Sequence, residues 1–543
     1  MKCSLFLMLA ACLFSTANLW ITPANADDLL PADTPIASVI NHYVNQRMAA
    51  LRVQPTPPAE DTLLLRRTML DLVGRPPTLV EAQAYAADEN PHKRDELISR
   101  LIGSPGFVRH QADEMDQFLM LSSGGTVRTY LVKALEENRP WDQMFRDLLL
   151  GETDDVEQKG AIEFVKRRVS DLDKLTTEVS SIFLGVNVSC AQCHNHPFVD
   201  DWTQDHFYGM KSFFGRTFDN GGFVGERDYG LVSYKTTEGE SREAKLLFIT
   251  GVELEQPPVK EMSDKDRKAE KELLDKLKKD KEAPPAPEFS LRAKLVETAL
   301  ATGQNELFAK AIVNNLWARF YGRGLVDPVD QMHAENPPSH PELLDWLARD
   351  FINNGYNLQR LIDGLVRSEA YARSSRLPEG DYPPATAFAV GSVRPLRPEA
   401  YAAVLKMAAT SPDFFPAEMS VEDRENRAEG IVSRSRTIAR SFEQPAPGFQ
   451  VSVDEALLMS NGDRIRSELL STSSEALLGK LNATPDRAEA INLLFWNVCS
   501  RPPEAGEVEA IQAFLSSRQD DLPQAYSHVV WALLTSSECR FNY

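Results

Sequence analysis

The chain has 543 residues, more than one ordinary domain accommodates, and its 43% hydrophobic and 25% charged residues exclude a mostly disordered or collagen-like polymer. Its 59 Lys and Arg against 79 Asp and Glu leave a net charge of -20, the wrong sign for neutralising phosphates. Nucleic acid and anionic lipid surfaces are therefore poor candidates as partners.

Residues 1–26 read as a signal peptide. Lys2 gives a short positive start, residues 5–20 are largely apolar, and Ala24-Asn25-Ala26 has the small-x-small form that signal peptidase cuts. The expected location is periplasmic or extracellular. Leu9-Ala10-Ala11-Cys12 resembles a lipobox, but Cys12 comes early in the apolar run, which disfavours a lipid anchor. No later segment approaches the roughly 18 apolar residues that a membrane span needs. Cleavage leaves Cys190, Cys193, Cys499 and Cys539, too few for a disulfide scaffold.

Helical periodicity dominates the mature chain. Leu64-Leu65-Arg66-Arg67-Thr68-Met69-Leu70-Asp71-Leu72-Val73-Gly74-Arg75-Pro76-Pro77 predicts a helix stopped at Arg-Pro-Pro, since the residue before proline is pushed out of the helical region. The pattern returns near the C-terminus as Asn492-Leu493-Leu494-Phe495-Trp496-Asn497-Val498-Cys499-Ser500-Arg501-Pro502-Pro503. Each copy closes on a similar helix ending: Leu101-Ile102, Ser104 and Phe107 in the first, Leu533-Leu534, Ser536 and Cys539 in the last. A third ending, Leu365-Val366, Ser368 and Tyr371, stands between them. An internal duplication of docked helical hairpins is the predicted architecture.

Leu172, Leu175, Val179, Ile182 and Phe183 recur at helical spacing and run into Gly185, a natural C-cap. That helix delivers Cys190-Ala191-Gln192-Cys193-His194, a C-x-x-C-H motif. Two thiols three residues apart can reach the two vinyl groups of one haem while the next residue offers an imidazole to the iron. On this reading Cys190 and Cys193 form thioethers to haem c and His194 is the proximal axial ligand. His196 and His206 are alternative ligands, and with Cys190 and Cys193 they also have the spacing of a zinc or non-haem iron site. A Cys190–Cys193 disulfide is the plainest reading. A sixth haem ligand would come from His206, Met210, His110 or Met115, and the sequence does not choose among them.

Next comes an insert of different composition. Residues 231–235 and 246–250 alternate enough to predict a small hairpin, residues 260–282 are almost wholly charged, and Ala283-Pro284-Pro285-Ala286-Pro287 marks a linker. Beyond it, Gly322-Arg323-Gly324 lacks the remaining residues of a phosphate loop and reads as a helix cap and turn. Asp327, Asp330, His333, Glu335 and His340 cluster in a proline-rich stretch that loop polarity and capping explain. Ser339-His340-Pro341-Glu342 has capping-box form, with Ser339 as the cap. Cys499 and Cys539 fall where the first copy of the repeat has Val73 and Phe107, so they read as buried thiols, with a disulfide between them as the alternative.

The residues around the motif, Phe183-Leu184-Gly185-Val186, Cys190-Ala191-Gln192-Cys193-His194-Asn195-His196-Pro197-Phe198 and Trp202-Thr203-Gln204, resemble the planctomycete cytochrome-like domain, a domain of unknown function. Residues 64–77 look like its N-terminal signature. Residues 311–345 and 368–375 are similar to the companion domain that usually follows it. The resemblance implies export, haem at Cys190, Cys193 and His194, and an exported sulfatase-like companion protein or a redox partner. It supplies no reaction.

The expected chain is thus mainly α: a signal peptide over 1–26, a cytochrome-like helical domain over 27–215, a variable insert over 216–290 and a companion helical domain over 291–543. The expected function is an exported redox or electron-transfer module, with a non-redox binding scaffold organised by metal or disulfide as the alternative.

Overall fold

The computed structural model describes residues 29–120, 123–151, 158, 160–195, 199, 202–257, 259–377, 380–445 and 451–543. The signal-peptide reading and His196 lie outside the described residues. The fold is mainly α, with small antiparallel strand pairs beside the helices. Among the described residues no helix is long and apolar enough to cross a membrane.

The duplication is visible in backbone and side chains alike. Helices Asp61–Val73, Leu79–Ala87 and Lys93–Ile102 form the first unit, and Arg487–Val498, Ala505–Ser516 and Leu522–Leu534 form the last. Each first helix ends on a left-handed residue, Gly74 at φ 68° and Ser500 at φ 60°, directly before Arg-Pro-Pro. Arg75 donates to the Pro76 carbonyl at 3.1 Å and grips both oxygens of Glu81 at 2.9 and 3.0 Å. Arg501 repeats this with the Pro502 carbonyl at 3.1 Å and with Glu507 at 2.8 and 2.8 Å. In both units the arginine thus fixes the turn, and its glutamate caps the second helix through Thr78 or Glu504. Ser104, Ser368 and Ser536 each stand between a helix end and the start of the next helix, as the three endings predict.

Two large apolar cores organise the molecule. The first runs from Ile36 to Ala389 and draws on helices from both sides of the insert; Trp141 and Phe145 each meet both Phe183 and Phe308 there, and Phe164 meets Phe183, with ring centroids 4.7 to 6.2 Å apart. The second gathers residues from Leu396 to Cys539, and Leu70 from the first repeat unit joins it. Full burial of each such aromatic contributes about 1.5–3 kcal/mol before conformational costs. The helix Leu172–Leu184 packs on Asn305–Tyr321 in the first core, so the segment entering the C-x-x-C-H loop starts from a rigid base.

The insert differs from expectation in its pairing. Residues 233–235 pair with 241–243 and residues 246–247 with 253–254, so the two predicted strands each take a nearer partner. A tight turn with Gly239 at φ 88° closes the first of these pairs, and short loops cost less closure entropy than joining 231–235 to 246–250. A third pair, Thr217–Asn220 with Phe223–Glu226, turns at Gly221-Gly222. The charged run folds as the helix Asp264–Asp280, which has no buried residue.

Candidate functional site at the Cys-His loop

The loop is built from a well-capped helix. Asp171 accepts the backbone amides of Asp173 and Lys174, each at 3.1 Å, and opens Leu172–Leu184. Gly185 ends it at φ 68°, where a Cβ would lie 2.7 Å from Met332 Sδ; conformation and close approach both require glycine. The chain passes through fully buried Val188 into the 3-10 turn Ser189–Gln192, with Ala191 buried beneath it. Cys190 lies within this turn and Cys193 is its C-cap residue. Both thiols are free and exposed. His194 is exposed, and its Nδ1 lies 2.7 Å from the Asn195 carbonyl; a carbonyl can only accept, so the hydrogen sits on Nδ1 and the Nε2 lone pair is left for a ligand.

The residues after the motif return to hold it. Gln204 Nε2 donates to the carbonyls of Gln192 and Cys193 at 3.3 and 3.2 Å, and its backbone amide donates to Asn195 Oδ1 at 3.2 Å. The Tyr208 hydroxyl donates to the Gln192 carbonyl at 3.2 Å, and its ring stacks on Tyr234 with centroids 4.2 Å apart. Burial, with Asp173 and Cys193 adding to it, pushes the Tyr208 phenol up, so it stays a donor. Gln192 Nε2 in turn donates to Asp173 Oδ2 at 2.9 Å, tying the loop to the first turn of its own helix.

The second half of the chain supplies a wall that sequence reading assigned to loop polarity. Val186 pairs with Gln331, Asn187 bonds Asp330, and the Met332 amide donates to the Gly185 carbonyl at 3.0 Å. The His333 ring meets Trp202 edge-on at 5.3 Å. Asp330 and His333 therefore belong to the surroundings of the Cys-His loop. The rest of that cluster disperses: Asp327 pairs with Arg323 at 3.3 Å, Glu335 is exposed and His340 is buried against Phe388. His340, not Ser339, is the N-cap of Pro341–Asn353, because Pro341 suits the first helical position; Ser339 Oγ instead contacts His340 Nδ1 at 3.1 Å. Gly322 caps Asn305–Tyr321 at φ 80°, the turn role read from the sequence.

The other candidate ligands take separate places. His206 Nδ1 lies 3.1 Å from Thr203 Oγ1 and accepts the Thr203 amide, closing a capping box for Gln204–Ser212. Met210 is fully buried in the first core. Met115 is buried in the helix Pro105–Met120, and His110 of that helix packs on Gly74, whose Cβ would lie 2.4 Å from its Nδ1. Cys499 and Cys539 are free and buried, matching the apolar burial of Val73 and Phe107. Among the described residues no group of three or more His, Cys, Asp or Glu side chains is arranged to hold a metal ion. The described part of the loop thus presents two free exposed thiols and one exposed imidazole, the donor set that a covalently attached haem would need.

Comparison with known proteins finds the two expected families in the expected order. Residues 39–219 match PSCyt2, a protein of unknown function (DUF1549), and residues 292–515 match PSD1, a protein of unknown function (DUF1553). No curated protein and no solved structure matches the chain.

Proposed function

We infer that this chain, a PSCyt2 domain followed by a PSD1 domain, is an exported redox module that carries haem c at Cys190, Cys193 and His194. The observation that carries the reading is the His194 imidazole, exposed beside two free exposed thiols and held through Nδ1 on the Asn195 carbonyl, which leaves the Nε2 lone pair for a ligand. Haem, when bound, supplies one-electron chemistry at a potential set by its ligands and exposure. The two sulfurs would anchor the group, Gln204 and Tyr208 would hold the loop backbone in register, and Trp202 and His333 would border it. Exposure of the loop suits electron exchange with another protein, either a redox partner or the exported sulfatase-like companion.

The test is the intact mass of mature protein exported from a host with haem-attachment machinery. A gain of about one haem, with a Soret band that survives acid-acetone extraction, is expected. His194→Ala should keep the added mass and lose the low-spin spectrum. An unmodified, colourless protein with stoichiometric zinc would instead select the non-redox scaffold.

A further inference from the structure

Arg67, in the helix Asp61–Val73, is 3% exposed and has no carboxylate partner among the described residues. Its Nη1 donates to the carbonyls of Tyr371 and Arg373, while Nε and Nη2 are buried with no hydrogen-bond partner. The nearby carboxylate is already taken: Asp71 accepts both Nη groups of Arg394 at 3.0 and 2.7 Å, the Tyr371 hydroxyl at 2.7 Å and Asn542 Nδ2 at 2.9 Å. Arg394 Nε is also buried and unpartnered. Arg67 and Arg394 line one cavity, with Phe320, Tyr321, Phe388 and Ser392 completing its wall. Two guanidinium groups thus line one polar hollow beside a carboxylate whose oxygens already accept four hydrogen bonds, and an anion in the hollow would compensate the buried N–H groups left over.

We propose that this cavity binds one small spherical anion of the chloride class, with the unpartnered N–H groups of Arg67 and Arg394 as its donors. The hollow has room for about one water-sized particle, the size class of a monatomic anion. Burial and the repulsion of Arg394 and Arg94 lower the affinity of Arg67 for its proton, and Tyr371 and Asp71 offset this only in part. A bound anion supplies the missing term. The cavity sits beside the segment that leaves the first core at Ala389 and enters the second at Leu396, so the ion would stabilise the junction of the two.

Crystals of the mature protein grown in bromide and measured at the bromine edge provide the direct test. An anomalous peak between Arg67 and Arg394 is expected; an ordered water there without anomalous signal overturns the proposal. In solution, exchanging gluconate for chloride at constant ionic strength should raise Tm by about 2 °C or more. Arg67→Met should abolish that response, and a wild-type Tm indifferent to chloride overturns the proposal independently of whether the variant folds.

Discussion

Asn187 and Asp330, 143 residues apart in sequence, are joined twice: the Asn187 amide donates to the Asp330 carbonyl at 2.8 Å and Asn187 Nδ2 donates to Asp330 Oδ2 at 3.0 Å. Asn187 Oδ1 also accepts the Ser189 amide at 3.1 Å, at the start of the 3-10 turn that holds Cys190. Asp330→Ala removes the side-chain half of this tie, at about 1 kcal/mol. The expected result is faster amide exchange over residues 186–194 with little change in the helices of the second core. Unchanged exchange in that segment would show that the loop stands without its buttress.

In protein made from residues 27–543, the four cysteines are expected to divide cleanly. Cys190 and Cys193 are exposed, whereas burial pushes Cys539 up to about 11 and holds Cys499 well above the usual thiol range, with Cys539 as its second cause. Protein made without haem attachment should therefore consume two equivalents of a thiol reagent in the native state and four after unfolding, counted by mass on the reduced chain. Haem-loaded protein should consume none until unfolded. A native count of four would contradict the buried environment of the second pair.

Much of this fold is legible in the sequence because its signals are local. Arg-Pro-Pro with a glutamate six residues beyond the arginine produces the same turn twice, and Gly185 ends its helix where the apolar spacing stops. The Cys-His motif is equally local, read directly from the C-x-x-C-H spacing. What the sequence hides is long-range. Asp330 and His333 look like loop residues until the bridge between Val186 and Gln331 brings them to the Cys-His loop, and no periodicity encodes that approach. Arg67 is likewise hidden, since a helix with arginines at consecutive positions reads as having a solvated face, yet both Arg66 and Arg67 are buried.

Stability should fall in two successive steps on acidification. Burial holds His340 at about 4, with Arg47 adding to the effect, whereas a free imidazole titrates near 6.5. Its folded value is depressed, so its contribution is complete above about pH 6.5 and is lost as pH falls toward 4. For Glu81, burial works to raise the value, but Arg75 and the Thr78 hydrogen bonds override it and hold the carboxyl at about 2. Its contribution, about 3 kcal/mol, is present above the usual carboxylate range near 4.5 and is lost as pH falls through 2. Glu114 behaves the same way at about 2, with Arg397 and Arg319 overriding burial. Urea midpoints between pH 7 and 2 should show both slopes. Glu81→Gln should flatten the lower one and cost more than Glu507→Gln, because the Glu507 side chain is 31% exposed against 9% for Glu81.

Asp71 is a carboxylate that joins distant parts of the chain. It lies on the last turn of the helix Asp61–Val73, and its partners come from three separate stretches: Tyr371 near the end of the first core, Arg394 in the strand Arg394–Pro395, and Asn542 in the strand paired with it. Its backbone carbonyl accepts Gln111 Nε2 at 3.2 Å and Arg319 Nη2 at 3.3 Å as well. Asp71→Asn keeps the shape but leaves Arg394 without its counter-charge in a place where Arg67 is already unpaired. The loss of one partner from such a buried pair costs about 3–5 kcal/mol, far above the median for a surface ion pair. Because Leu70 beside it is the first unit's contribution to the second core, the damage should concentrate at the junction. Wild-type unfolding measured by tryptophan fluorescence and by far-UV dichroism should coincide; in Asp71→Asn the two midpoints should separate, residues 396–543 losing protection at lower urea than residues 36–389 in hydrogen exchange. Coincident midpoints with a shift below about 1 kcal/mol would mean that the two cores are held together by something other than this carboxylate.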